Sequence, residues 1–191
     1  ESGCGKSTLG RMLVRLENPT SGDVLLDGKS TAQMLRENNK AFRKRVQIVF
    51  QNPFDTFTPR DTIEKILMRP LKNYNIGASD EERLKMCRDA LESGGLHPAE
   101  EILKRYPHEL SGGQLQRISI IRSMFFKPDL IIADEPVSML DVSVRADIIN
   151  MLLDLAKKNN TAVIFISHDI ALTRYISDHV AVMYLGRVVE Y

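Results

Sequence analysis

Leu130-Ile131-Ile132-Ala133-Asp134-Glu135-Pro136 sets four apolar residues against two acids and a proline. A short, continuous apolar run is the pattern of a parallel strand covered on both faces, and both acids fall just past its end. Ala162-Val163-Ile164-Phe165-Ile166 repeats the pattern downstream. Between them Val144, Ile148, Leu152 and Leu155 fall on one helical face, and Lys157-Lys158 sits near that helix's end, where positive charge is favoured. Strand, helix and strand at this spacing make a βαβ unit, which predicts an α/β fold with a mainly parallel sheet. In open sheets of this kind ligands bind at the C-terminal edge of the strands. Asp134 and Glu135 therefore stand where chemistry is expected, rather than in an idle polar loop.

Upstream, Ser2-Gly3-Cys4-Gly5-Lys6-Ser7 supplies the last six positions of the G-x-x-x-x-G-K-[ST] pattern. Its glycines let consecutive backbone N–H groups close around phosphate oxygens, and the following helix points its positive end at them. Lys6 would reach the β- and γ-phosphates and Ser7 would ligate Mg²⁺, while Asp134 would hold the metal's shell. Glu135 would orient or deprotonate an attacking water, since phosphoryl transfer depends on positioning and charge neutralisation. The pattern's first Gly precedes Glu1 and the chain has no initiator Met, so it reads as a fragment cut at its N-terminal end.

The remaining elements follow from local signals. A helix is expected over Gly5 to Leu16, ending before Asn18-Pro19, and a short strand over Val24 to Leu26, closed by Asp27-Gly28. Val46 to Phe50 reads as a buried strand. Beyond it the character turns helical, with Ser79 and Glu82 at capping-box spacing and Gly94-Gly95 ending that helix. His179 to Tyr184 and Arg187 to Val189 read as two strands around Gly186.

Leu110-Ser111-Gly112-Gly113-Gln114 opens another helix. Ser111 and Gln114 have the spacing of an ordinary cap, but two glycines cost a helix up to about 1 kcal/mol each. Bare backbone at a helix start lets an anion approach closely. The chain thus carries two phosphate-binding helix starts and one acid pair. The economical solution is that Ser111, Gly112, Gly113 and Gln114 cap a nucleotide held by another subunit.

Composition narrows the classes. With 191 residues, 43% hydrophobic and 27% charged, the chain suits one globular domain. A net charge of +1 gives no reason to expect nucleic acid, and no apolar run approaches the ~20 residues of a membrane span. The chain begins with no secretory signal. Cys4 and Cys87 suggest small reduced side chains rather than a disulfide framework.

The Leu110–Gln114 pentapeptide matches the ABC signature motif, and with it the chain resembles the ABC ATPase family over essentially its whole length. The resemblance implies a P-loop NTPase core over residues 1–51 and 129–191, and a helical signature subdomain over 52–128. It implies nucleotide contacts from Ser2, Gly3, Cys4, Gly5, Lys6, Ser7 and Thr8. Gln51 resembles the Q-loop glutamine, which touches Mg²⁺ and links to the membrane partner. Ser138-Met139-Leu140-Asp141 resembles the D-loop, with Met139 for a more usual Ala, and Asp141 is counted with the nucleotide site. His168, after the second strand, resembles the switch histidine at the γ-phosphate. The adenine-stacking aromatic of the family belongs upstream of Glu1.

Several stretches are similar to the ATPases of oligopeptide, dipeptide and nickel importers. They include Arg105 to Leu110, Ala133 to Ser138, Asp141 to Ala146 and Val182 to Arg187. Phe57-Thr58 replaces the usual Leu-Asn of that branch, Leu115 stands where Arg is common, and the usual extension is missing after Tyr191. The implied function is hydrolysis of ATP with Mg²⁺ as cofactor, coupling pairing with a second ABC ATPase domain to solute import, with an oligopeptide or dipeptide as the expected solute. Partners would be permease subunits, and indirectly a solute-binding protein, at the cytoplasmic face of the membrane. The rival is a soluble ABC ATPase acting on DNA or ribosomes. Between Gln51 and Ser111 there are neither the heptads nor the paired cysteines that such proteins carry. An inactive paralogue is disfavoured because Lys6, Asp134, Glu135 and His168 are all present.

Overall fold

The computed structural model describes residues 3–191. Its first stretch runs through α1 (Lys6–Leu13), the short strands β1 (Leu25–Leu26) and β2 (Lys29–Ser30), α2 (Thr31–Glu37), α3 (Asn39–Arg45) and β3 (Val46–Val49). Four helices follow, α4 (Ile63–Asn73), α5 (Asp80–Ser93), α6 (Ala99–Lys104) and α7 (Gly112–Met124). The chain then returns through β4 (Leu130–Asp134), α8 (Val142–Asn159) and β5 (Ala162–Ile166). It closes with α9 (Ile170–Ile176), β6 (Val182–Tyr184) and β7 (Arg187–Glu190).

The β4–α8–β5 unit forms as its periodicity predicts. β3, β4 and β5 make a parallel sheet in that order, with Val49 opposite Ala133 and Ala133 opposite Phe165. One face carries Val49, Ile131 and Ala133 against Ile148 and Leu152 of α8 and Ile120 of α7. The other carries Val46, Ile132 and Ile166 against Val14 and Phe42. With helices on both faces, β4 can be apolar throughout without exposing an oily surface.

A separate apolar cluster draws its buried members from residues 57 to 121 and gathers α4, α5, α6 and one side of α7. Helix α7 serves both cores. Leu115, Ile118 and Ile121 point into this cluster and Ile120 into the sheet's, so the helix is buried on two sides. Leu67 is fully buried at the centre of the helical cluster. Leu67→Ala is expected to cost about 2–5 kcal/mol, read from denaturant unfolding, because the surrounding helices can only partly close the cavity. A loss under about 1 kcal/mol would mean that this cluster is loosely packed.

Three expectations need correction. Helix α1 stops at Leu13 rather than Leu16, because Arg15 turns left-handed at φ 54°. There Arg15 is buried, donates from Nε to Thr31 Oγ1 at 2.6 Å, and pairs with Asp23. The strands around Gly186 begin at Val182 and, among the described residues, pair only with each other, antiparallel, outside the parallel sheet. Finally, β5 is not covered on both faces. Ala162 and Ile164 are exposed, and an apolar groove of about 700 Å³ runs beside the strand toward Val180, Met183 and Val188. No helix among the described residues is long and apolar enough to cross a membrane.

Candidate functional site

The glycine loop enters α1 through Gly5, whose φ of 96° is comfortable only without a Cβ. Among the described residues no side chain caps this helix start, a place where an anionic ligand is favoured. The turn between β6 and β7 braces the loop, with the Gly186 N–H donating to the Cys4 carbonyl at 3.1 Å. Lys6 Nζ donates to Cys4 Sγ at 3.2 Å. That bond holds the Cys4 thiol below its ordinary pKa although burial opposes it, whereas burial pushes Cys87 up to about 12. Near pH 8, iodoacetamide is therefore expected to modify Cys4 well before Cys87, as read by peptide mass spectrometry. Equal labelling would mean that the Lys6 contact does not govern the thiol. Ser2 lies outside the described residues, and Thr8 is exposed on α1.

Ser7 Oγ, one residue into α1, donates to Asp134 Oδ1 at 3.1 Å. Asp134 closes β4 and is only 7% exposed. Burial raises its carboxyl pKa most, and the charge of Glu135 adds to this. The Ser7 bond, Arg11 and Lys6 pull the other way. A buried carboxylate in this condition, beside a hydroxyl, fits a hard cation that would restore its charged form. Among the described residues no cluster of three His, Cys, Asp or Glu could hold a metal unaided. One carboxylate and one hydroxyl instead suit an ion that keeps waters and phosphate oxygens as its other ligands.

Glu135 then turns away from Asp134. Its φ of 47° is unusual for a residue with a side chain and is held by its N–H donating to the Ile166 carbonyl at 2.9 Å. Glu135 Oε2 accepts from Gln51 Nε2 at 3.3 Å, and His168 Nδ1 lies 3.3 Å from the same oxygen. Gln51 Nε2 also donates to Ser138 Oγ at 3.0 Å, and Ser138 Oγ donates to the Glu135 carbonyl at 3.0 Å. Ends of three parallel strands thus converge. Gln51 follows β3, Glu135 follows β4 and His168 follows β5, while Gln51 meets Glu135 rather than the Ser7–Asp134 pair.

The second glycine pair occupies a different place. Ser111 and Gln114 complete both arms of a capping box, at 3.2 and 3.0 Å. The glycines also have a packing reason that the sequence does not reveal. A Cβ on Gly113 would sit 3.0 Å from Val144 Cγ1, and one on Gly112 would sit 3.3 Å from Leu140 Cδ2. A side chain at either position would push Leu140 or Val144 aside, so both glycines favour the close approach of α7 to α8 and the 138–141 turn. Ser111 to Gln114 line a cleft of about 230 Å³ with Arg117, Met139 and Asp141, and the lining includes none of Lys6, Ser7, Asp134, Glu135 or His168. Asp141 caps α8 without a side-chain bond. Arg145 braces the turn from behind, donating from Nε to the Leu140 carbonyl at 2.9 Å. Sequence reasoning gave no role to Arg145, because an arginine one turn into a helix carries no signal of its own.

Residues 1–138 match the family model described as ABC transporter. The chain is 50% identical over 190 residues to a probable peptide ABC transporter ATP-binding protein of Sinorhizobium fredii, covering 100% of this chain and 53% of that protein. It is 47% identical over 191 residues to the oligopeptide transport ATP-binding protein AppF of Bacillus subtilis, covering 100% and 57%. The chain therefore spans little more than half the length of these relatives. Among solved structures it resembles the ATP-binding cassette MJ0796, in a dimeric post-hydrolysis state bound to ADP and Pi. That match has a TM-score of 0.85 at 31% identity and covers 100% of this chain and 81% of that one. It also resembles cbiO1 from Clostridium perfringens, part of the ABC transporter complex cbiONQ, at TM-score 0.83 and 28% identity, covering 100% and 73%. With most of its length matched by the family model and its whole length by these relatives, the chain belongs to the ABC transporter family.

Proposed function

We propose that this chain is the ATP-binding and ATP-hydrolysing part of an ABC importer, which pairs with a second such domain around ATP. The observation that carries the reading is the convergence of Gln51, Glu135 and His168 at one sheet edge, adjoining the Ser7–Asp134 pair. In this reading residues 1–51 and 129–191 form the catalytic core, and 52–128 form the arm that presents the signature. The glycine loop, with Lys6, holds the phosphates. Ser7, Asp134 and Gln51 would hold Mg²⁺, which when bound neutralises phosphate charge. Glu135 takes a proton from water as the water oxygen bonds to the γ-phosphorus. The bond from that phosphorus to the β–γ bridging oxygen breaks, leaving ADP and phosphate. His168 stands across Glu135 and steadies the developing charge. Asp141 and the Ser111–Gln114 helix start face the nucleotide of the partner domain.

The names of the relatives favour a peptide or oligopeptide as the imported solute. Permease subunits would carry it, a solute-binding protein would deliver it, and the chain would sit at the cytoplasmic face. The test is ATP-dependent peptide uptake into vesicles holding the full-length protein and its permeases, beside the same assembly carrying Lys6→Ala. Uptake should need ATP inside and intact Lys6. Hydrolysis with no uptake of any peptide would leave the ATPase and remove the importer.

A further inference from the structure

Gln116 lies on α7, two positions past the Ser111–Gln114 cap, and is fully buried. A buried amide is normally satisfied at both ends. Here Nε2 donates to the Phe50 carbonyl at 3.4 Å, near the limit of a hydrogen bond, and Oε1 has no partner among the described residues. An aliphatic side chain of similar shape would give up one weak bond and remove one unpaired acceptor. Stability therefore does not explain the residue.

Its position does. Phe50 immediately precedes Gln51, whose amide reaches Glu135 and Ser138. Farther along α7, Arg122 points at the Thr56 carbonyl at 3.5 Å and lies over the Phe57 ring at 4.8 Å. The stretch from Phe50 to Phe57 is thus tied at both ends to one helix, and the first turn of that helix carries Gly112 and Gly113. A hydrogen-bonded helix moves as a stiff body, so a displacement at its first turn is felt at Phe50.

We propose that Gln116 is a positioning residue, through which the placement of the Ser111–Gln114 helix start sets Gln51 against Glu135. Its unpaired Oε1 is held ready for the bond that forms when the Phe50–Gln51 backbone shifts. The proposal rests on the ATPase reading above, because Gln51 and Glu135 matter here only as parts of that site.

The test compares Gln116→Leu and Gln116→Met with the parent in the full-length protein, measuring kcat and KM for ATP and the thermal midpoint. The expected result is a kcat lowered about tenfold, with KM within about twofold, since binding is left intact. The midpoint should be unchanged or higher, because an unpaired buried acceptor has been removed. Parental kcat in both variants would overturn the proposal and leave the ATPase reading standing. A midpoint that falls in step with kcat in both would overturn it in favour of a packing role. A parent that hydrolyses no ATP would remove the reading beneath it.

Discussion

Glu135→Gln should abolish most ATP turnover while leaving ATP binding near that of the parent, with kcat falling at least about 100-fold. A positioned general base contributes on the order of 10²–10⁴ to a rate, and an amide cannot take the proton. The substitution keeps the side chain's shape, and its amide oxygen can still accept from Gln51, which now donates to Glu135 Oε2 at 3.3 Å. The left-handed backbone at φ 47° is held by bonds of the main chain and the Ser138 hydroxyl, none of which uses the Glu135 carboxylate. The loss should therefore be chemical rather than structural, with an unchanged thermal midpoint as the control. ATP left unhydrolysed should also prolong the life of the paired state, visible as a dimer in size-exclusion chromatography with ATP. If the variant kept more than about a tenth of the parental rate, proton acceptance would belong elsewhere, and His168 would be the next residue to change.

How far the sequence carries depends on how much of the information is local. The β4–α8–β5 unit was legible because a buried strand and an amphipathic helix each write their period into consecutive residues. The helix α5 was legible through Ser79 and Gly94-Gly95, although Glu82 Oε2 accepts from the Ala78 N–H rather than completing the box on Ser79. Helices α2, α3 and α9 left no such trace. Each has seven residues, too short for an apolar period to repeat, and only Ser30, Asn38 and Asp169 mark their starts as side-chain caps. The exposure of β5 was likewise hidden, because an apolar run does not say which of its faces the rest of the chain covers.

The candidate site shows the same division. Lys6, Ser7, Asp134 and Glu135 follow from motif and chemistry, and the resemblance implies Gln51 and His168. Their mutual arrangement does not follow. That Asp134 faces Ser7 while Glu135 faces Gln51 depends on one left-handed residue, which no propensity would assign to a glutamate. The glycines of the second helix start leave bare backbone that an anion can approach. The structure adds a packing reason, and the two are compatible, because a helix start drawn close to α8 still presents its outer backbone to a partner.

Ser111→Arg and Lys6→Ala, each inactive alone, should recover hydrolysis when mixed. Ser111 is exposed at the start of α7 and its hydroxyl caps the Gln114 N–H, so replacing it costs roughly 1 kcal/mol of helix stability and leaves the cores untouched. A long cationic side chain in that place fills the cleft beside Gly112 and Asp141, where the partner's terminal phosphate would sit. Lys6→Ala removes instead the cation of the chain's own phosphate loop. In the proposed two-fold pair each site would take its loop from one copy and its Ser111–Gln114 turn from the other. The mixed pair thus holds one whole site, made from Lys6 of the Ser111→Arg copy and Ser111 of the Lys6→Ala copy. Its second site is damaged twice. Random association of equal amounts makes half the pairs mixed, so if the sites act independently the mixture should regain about a quarter of the parental rate. Recovery should rise with protein concentration and vanish when both substitutions are placed in the same copy. Mixed pairs demonstrated by two distinguishable tags, yet without any gain in hydrolysis, would show that Ser111 does not complete a partner's site. The glycine pair at Gly112 and Gly113 would then be explained by its packing against Leu140 and Val144 alone.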